Sequence, residues 1–364
     1  PTPANYTNTE SSAASDVYKR QGIAPVETDL GEYIIQLNDE TPGHIVAPVI
    51  HKSKESIQEI FSAKIDMPPT ADATEMARYV RGQIRKDFLA ADMGISGANF
   101  LIAETGTICL VTNEGNGSLI TSLPEVHVAV TGIEKIVPTV EDYALLTQLL
   151  PRSSTGQKMT VYTNMINGPR QDSDAVGPKH VYVILVDNGR SAIYGSEYAE
   201  ALACIRCGAC LNTCPVFRVA GGHSYGWVYS GPIGAIITPL LNGLENASPL
   251  PHASSLCGAC KQACPVDIDI PRMLLDLRRD LVAEGESPSS WNLAMKLWAQ
   301  GMSSPTLYKI GDKTAAMATR VFQPQNLPGP LSGWTDHRTT PTFAQQPFHQ
   351  WWAEQASSSE ENDG

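Results

Sequence analysis

Two short cysteine runs constrain this chain more than any other feature. The first reads Cys204-Ile205-Arg206-Cys207-Gly208-Ala209-Cys210-Leu211-Asn212-Thr213-Cys214-Pro215, and the second Cys257-Gly258-Ala259-Cys260-Lys261-Gln262-Ala263-Cys264-Pro265. The first has the C-x2-C-x2-C-x3-C-P spacing in which three thiolates hold one iron–sulfur cubane and the fourth points away to another cluster. Two clusters with exchanged ligands are therefore expected. Cys204, Cys207 and Cys210 are expected to hold cluster I, with Cys264 of the distant run completing it. Cys214, Cys257 and Cys260 are expected to hold cluster II.

Cluster II then lacks a fourth cysteine, because a full second run would begin at Ser254. It reads either as a [3Fe–4S] centre or as a [4Fe–4S] cubane with a non-cysteine ligand. Ser254 and Ser255 are candidates, although serines in such positions more commonly turn or cap the chain. Zinc suits the pattern less well. A tetrahedral zinc site usually draws on two well-separated pairs, whereas three cysteines at successive three-residue steps before a Cys-Pro fit a cubane. Disulfides fit worse again, since the thiols crowd into local loops and a chain of 364 residues builds a core without staples. Clustered reduced thiols point to the cytoplasm.

Charge narrows the partners. With 26 Lys and Arg against 38 Asp and Glu, the chain carries a net charge of −12 and has no basic run, which argues against nucleic acid. No apolar stretch reaches the roughly eighteen residues a spanning helix needs, and no signal-peptide pattern opens the sequence.

In chain order, residues 1–21 are polar and show no apolar period, so they are expected not to pack. The string Ala14-Ser15-Asp16-Val17-Tyr18-Lys19-Arg20-Gln21 resembles a translated adaptor, a non-native tail. Residues 22–195 alternate strand and helix signals. Gly31 to Leu37 and His44 to Ile50 read as short strands or extended segments. Helices are expected over 53–64 and 73–91, then two strands, Phe100–Ala103 and Thr107–Val111, around a Thr-Gly turn. Further strands are expected at 126–130, 159–162 and 180–186, and a capped helix from Thr139 to Leu150. Such alternation implies an α/β domain with a mostly parallel or mixed central sheet.

Residues 196–285 form the cluster domain, with a short helix after each Cys-Pro laying apolar cover on its cluster: Val216, Phe217 and Val219 after the first, Val266 and Ile268 after the second. His223, beside a Gly-Gly pair, reads as a loop residue. Pro271 opens a helix with Met273, Leu274, Leu277 and Leu281 on one face. Residues 286–364 form an appendage. In it Trp291, Ala294, Met295 and Trp298 give a core-packing helix stopped by Gly301. A Pro-rich stretch over 324–347 and a polar, disordered end from Ser357 follow.

The run Gly97-Ala98-Asn99-Phe100-Leu101-Ile102-Ala103-Glu104-Thr105-Gly106-Thr107, the loop Asn113-Glu114-Gly115-Asn116, and Glu27 to Leu37 upstream resemble the LUD domain of lactate-utilisation proteins. Joined to both cysteine runs, to Gly221-Gly222-His223-Ser224-Tyr225-Gly226 and to Tyr229-Ser230-Gly231-Pro232-Ile233-Gly234, they resemble the iron–sulfur protein B family of lactate utilisation. The resemblance implies an α/β LUD domain, with the fold shared by CoA transferases and ribose-phosphate isomerases, followed by a mainly α-helical ferredoxin-like domain with two clusters. It implies an electron-transfer subunit acting with proteins A and C in oxidising L-lactate to pyruvate, an oxidoreductase component not catalytic alone. It also implies that the LUD domain here lacks its first elements.

Two other functions stay open. A LUD-domain enzyme or ligand-binding protein would use the 104–106 turn and the 113–116 loop, with Glu104 as acid or base, though both read more readily as plain turns. A glycolate-oxidase-like or heterodisulfide-reductase-like subunit would share the cysteine runs but not the LUD segment. The chain has no Rossmann fingerprint, P-loop or nucleophile elbow, and no catalytic residue is identified. As a separate domain, the cluster module is expected to fill its sites without the LUD domain.

Overall fold

The computed structural model describes residues 22–286 and 289–321, and beyond them 332–335, 338, 343–344 and 346–360. The expected tail over 1–21 and most of the Pro-rich stretch lie outside the described residues. The chain divides into two compact units, Pro1–Glu286 and Ser287–Gly364.

Among the described residues the first unit opens with three helices: α1 (Leu30–Asn38), α2 (Lys54–Ile65) and α3 (Ala73–Ala90). Each starts at a side-chain cap, Asp29, Ser53 and Asp72, that accepts a backbone N–H of the first turn. Ile34, Phe61, Met76 and Val80 form the small core between them. Helix α1 corrects the expected strand over 31–37. Leu30, Tyr33, Ile34 and Leu37 stand at helical spacing, and the Asp29 cap sets the first turn. Residues 44–50 are bends and turns with no strand.

An α/β arrangement follows. Strands β1 (Met93–Ser96), β4 (Val126–Gly132) and β7 (His180–Val186) form a three-stranded parallel sheet in the order β1-β4-β7. Strands β2 (Phe100–Ile102), β3 (Thr107–Thr112), β5 (Ile136–Val137) and β6 (Tyr162–Ile166) form a mixed four-stranded sheet in the order β5-β2-β3-β6. Two sheets therefore stand where one central sheet was expected. Asn99 marks the entry to the second: its N–H donates to Cys109 O at 3.0 Å and its Oδ1 accepts from Val111 N at 2.8 Å, which seats β2 on β3. The hairpin about Gly106 is as expected, but β6 begins at Tyr162, three residues beyond the predicted start. Helix α4 (Asn116–Ser122) follows β3, and α5 (Val140–Thr155) carries the capping box of Thr139 and Asp142.

The cysteine runs lie among short helices, α6 (Arg190–Tyr194), α7 (Ala209–Thr213), α8 (Pro215–Ala220), α9 (Gly231–Asn242), α10 (Ala259–Ala263) and α11 (Ile270–Ala283). Met273, Leu274, Leu277 and Leu281 of α11 are all buried, and Leu211, Ile233, Ile236 and Ile268 pack with the first three. Of the apolar cover expected after Pro215, Phe217 is buried but Val219 is 90% exposed.

A second core bears on the expectation of separate folding. Phe100, Ile102, Cys109, Val137, Tyr143 and Leu150 of the α/β part pack with Ile205, Cys207 and Ala209 of the first cysteine run. One continuous apolar cluster thus spans both parts, so the first run takes its shape from the sheet beneath it.

In the second unit, α12 (Ser289–Ser303) and α13 (Pro305–Val321) are followed by α14 (Ser332–Thr335) and α15 (Phe348–Glu360). Helix α12 runs through Gly301, and Trp291, Met295 and Trp298 are exposed rather than packed in a core. Helix α15 extends to Glu360, into the end expected to be disordered. Among the described residues no helix is long and apolar enough to cross a membrane.

Candidate functional site

Each cysteine run bends twice into the left-handed region before its helix begins. Arg206 has φ 62° and Gly208 φ 75° in the first run, and Leu256 has φ 54° and Gly258 φ 82° in the second. Gly258 and Gly208 take these angles without strain, and they turn the chain so that the next N–H groups face inward. Helices α7 and α10 then run five residues each and end at Cys214 and Cys264. Pro215, the first residue of α8, follows Cys214, whose Sγ accepts from Phe217 N at 3.4 Å.

This folding brings Cys204, Cys207, Cys210 and Cys264 onto the wall of one recess. Ile45, Ile205, Ile233, Val266, Ile268 and Ile270 supply most of the rest of its lining, and it measures about 340 Å³ with its open mouth included. Burial pushes the Cys207 thiol above its ordinary pKa, with Cys204 and Cys264 adding to the shift and the Ala209 N–H opposing it. Burial raises Cys210 as well, and the Ile233 N–H at the start of α9 opposes it. Buried thiols set this closely resist ionisation unless a cation stands among them.

The remaining three cysteines form a second group. Burial raises Cys260, and its neighbours Cys214 and Cys257 contribute in the same direction. Cys257 is exposed, and the Ala259 N–H and the Ser255 side chain hold its pKa below the ordinary value. Cys260 also adds to the rise at Cys210, so the two groups adjoin. Among the described residues no three His, Cys, Asp or Glu side chains meet at a point suited to a single metal ion. A cubane makes no such demand, because each thiolate binds a different iron.

Further features suit a group rich in sulfide acceptors. Arg206 N, Phe217 N and Ile268 N donate to Cys204, Cys214 and Cys264 Sγ, each at 3.4 Å. Tyr225 is 5% exposed beside Cys214 and Cys210, and its hydroxyl has no hydrogen-bond partner among the described residues. A buried donor in that state costs free energy unless an acceptor reaches it.

Sequence reasoning missed the supports of the first run. Glu134 lies 2.6 Å from Arg190 Nε and 3.4 Å from Arg206 in a largely buried triad, and Lys135 Nζ donates to Cys204 O at 3.4 Å. Arg206 also lies over the Tyr229 ring, 4.3 Å from its centroid. His44 is buried against Gly208 and Phe217, and its Nδ1 accepts from Val46 N and Ala47 N at 3.1 and 3.2 Å. Nothing in the local sequence pairs these residues with a run so far downstream. His223, expected in a loop, lies in a short 3-10 helix (Gly222–Tyr225): its Nε2 meets Thr41 O at 2.8 Å, and neighbouring Gly222 approaches Gly43 so closely that no Cβ fits.

The α/β candidates read as structural. Glu104 is exposed and its carboxylate accepts from Val140 N at 3.3 Å, capping α5. In the 113–116 loop, Asn113 bonds Gln157 and Val161 N, and Glu114 accepts from Leu30 N at 3.3 Å. Burial, with Glu27 and Asp29 adding, pushes nearby Glu32 up to about 7. The eighth cysteine, Cys109, is fully buried in the sheet core, where burial pushes its thiol up to about 11.

Three family models match the chain. The family model of the LUD domain matches residues 6–186, that of a 4Fe-4S dicluster domain residues 200–268, and that of the C-terminal region of lactate utilisation protein B residues 281–357. Lactate utilisation protein B of Geobacillus kaustophilus is 47% identical over 94% of this chain and 73% of its own length. The Bacillus subtilis protein of the same name is 46% identical over 96% of this chain and 74% of its own. A solved DUF162-family structure from Deinococcus radiodurans aligns with 28% of this chain and 57% of its own, at 24% identity and a TM-score of 0.22.

Proposed function

This chain belongs to the lactate utilisation protein B family, and from that membership we propose that it is the iron–sulfur electron-transfer subunit of a complex oxidising L-lactate to pyruvate. Its partners in this reading are lactate-utilisation proteins A and C, and its compartment is the cytoplasm. Cys204, Cys207, Cys210 and Cys264 would hold one [4Fe–4S] cluster, and Cys214, Cys257 and Cys260 the second. When bound, such clusters take up and pass on single electrons.

The observation that carries this reading is the presence of Cys264, from the second run, in the recess lined by three cysteines of the first. The chain's residues have definite tasks in it. The isoleucines of the recess exclude water, and the N–H groups of Arg206, Phe217 and Ile268 together with the Tyr225 hydroxyl offer donors to sulfur, which set a cluster's potential. Oxidation of lactate to pyruvate releases two electrons and two protons. The reading gives the chain no part in the proton transfer, since Glu104 is engaged as a helix cap.

Anaerobically purified chain is expected to contain iron and acid-labile sulfide in nearly equal amounts. Its visible absorption should bleach on addition of L-lactate only when proteins A and C are present. Bleaching of the chain alone, or none with the complete set, contradicts the subunit role.

A further inference from the structure

The second cysteine run repeats the backbone of the first with an offset that places Ser254 where Cys204 stands. Arg206 and Leu256 share the left-handed conformation, as do Gly208 and Gly258, at φ 62° and 54° and at φ 75° and 82°. Helices Ala209–Thr213 and Ala259–Ala263 have the same length, and the cysteines that end them have φ/ψ of −73°/120° and −74°/117°.

The correspondence extends to Ser254 itself. Cys204 Sγ accepts from Arg206 N at 3.4 Å, and Ser254 Oγ accepts from Leu256 N at 3.1 Å. Cys204 O is held by Lys135 Nζ at 3.4 Å, and Ser254 O by Arg278 of α11, also at 3.4 Å. A second bond, from Arg278 Nε to Pro251 O at 2.8 Å, anchors the loop that carries the serine. Both Cys204 and Ser254 are half-buried. Ser255 has no such equivalence. It aligns with Ile205, a buried core residue, and its side chain is exposed and engaged with Cys257.

We infer that Ser254 Oγ is the fourth ligand of the second cluster, completing a [4Fe–4S] cubane with Cys214, Cys257 and Cys260. The inference rests on the cluster reading above. Formation of the Fe–O bond releases the hydroxyl proton to solvent, with no change in oxidation state. The hydroxyl is pre-aimed because its lone pair already receives the Leu256 N–H, as the Cys204 sulfur receives that of Arg206. An oxygen ligand is harder than thiolate, which sets one iron of this cluster apart from the rest.

The test compares wild-type chain with Ser254→Ala and Ser254→Cys, all full length, purified anaerobically and assayed for iron, sulfide and electron paramagnetic resonance after mild oxidation. Wild type should lack a [3Fe–4S]⁺ signal. Ser254→Ala should lose about one iron per chain and gain that signal, whereas Ser254→Cys should keep the iron, lack the signal and shift the potential of one cluster. Identical spectra and iron content in wild type and Ser254→Ala overturn the assignment. Should Ser254→Ala fail to fold, an unshifted potential in Ser254→Cys overturns it equally. Wild-type chain without iron or sulfide overturns the cluster reading itself, which distinguishes the two failures.

Discussion

Cys207 and Cys264 come from separate runs of the chain yet line one recess, close enough that Cys264 adds to the burial that raises the Cys207 thiol above its ordinary pKa. The recess therefore joins three thiols of the first run to one of the second. Helices α7 and α10, which lie within the runs, pack directly on each other.

The triad of Glu134, Arg190 and Arg206 ties the α/β part to the first run through largely buried charges. Removing the carboxylate takes from the buried Arg190 guanidinium its ion-pair partner, a change that costs about 3–5 kcal/mol. Glu134→Ala is expected to lower unfolding stability by about that amount and to speed loss of cluster absorption to an iron chelator. Wild-type stability together with wild-type chelation kinetics would count against a supporting role.

Phe100 belongs to the core shared with Ile205, Cys207 and Ala209 and stacks edge-on with Tyr143 at 5.8 Å. Truncation of such a buried ring costs about 3–5 kcal/mol through lost burial and the cavity left behind. Phe100→Ala is expected to destabilise the chain by that amount and to reduce iron content, although the residue lies far in sequence from the cysteines of both runs. Full iron content in the destabilised variant would mean that the cluster module holds its shape without the sheet.

Glu32 titrates within the physiological range. Burial raises its folded pKa from 4.5 to about 7, so the folded chain binds more protons than the unfolded chain between those values. Stability therefore falls as pH rises through that window, and the penalty is complete above it, at roughly 2–3 kcal/mol. Glu32→Gln should be more stable than wild type at pH 8 and nearly equal to it at pH 4.5, measured by denaturant unfolding. A pH-independent difference would place the effect elsewhere.

The cysteine pattern is plain in the sequence because spacing is a local property of the stretch from Cys204 to Pro215. Helix α11 was equally plain, its period and its Asp269 cap both lying within the segment. Helix α1 was read as a strand because Tyr33, Ile34 and Ile35 suggest an extended run, while the Asp29 cap and the packing against α2 and α3 decide otherwise. The Glu134 triad and the Arg278 anchor of Ser254 escaped notice because both depend on contacts between residues far apart in the chain. The exposed aromatics of α12 mislead for a related reason, since an amphipathic pattern marks a face without saying what covers it.

Removal of Cys264 is the most direct trial of the exchanged ligand sets. Cys264→Ala, purified anaerobically, should fall from about eight irons per chain to about four and retain the spectroscopic signature of the Cys214, Cys257 and Cys260 cluster, with helix content by circular dichroism unchanged. Loss of that cluster instead, with the one at Cys204, Cys207 and Cys210 intact, would show that each run serves its own cluster and would contradict the account.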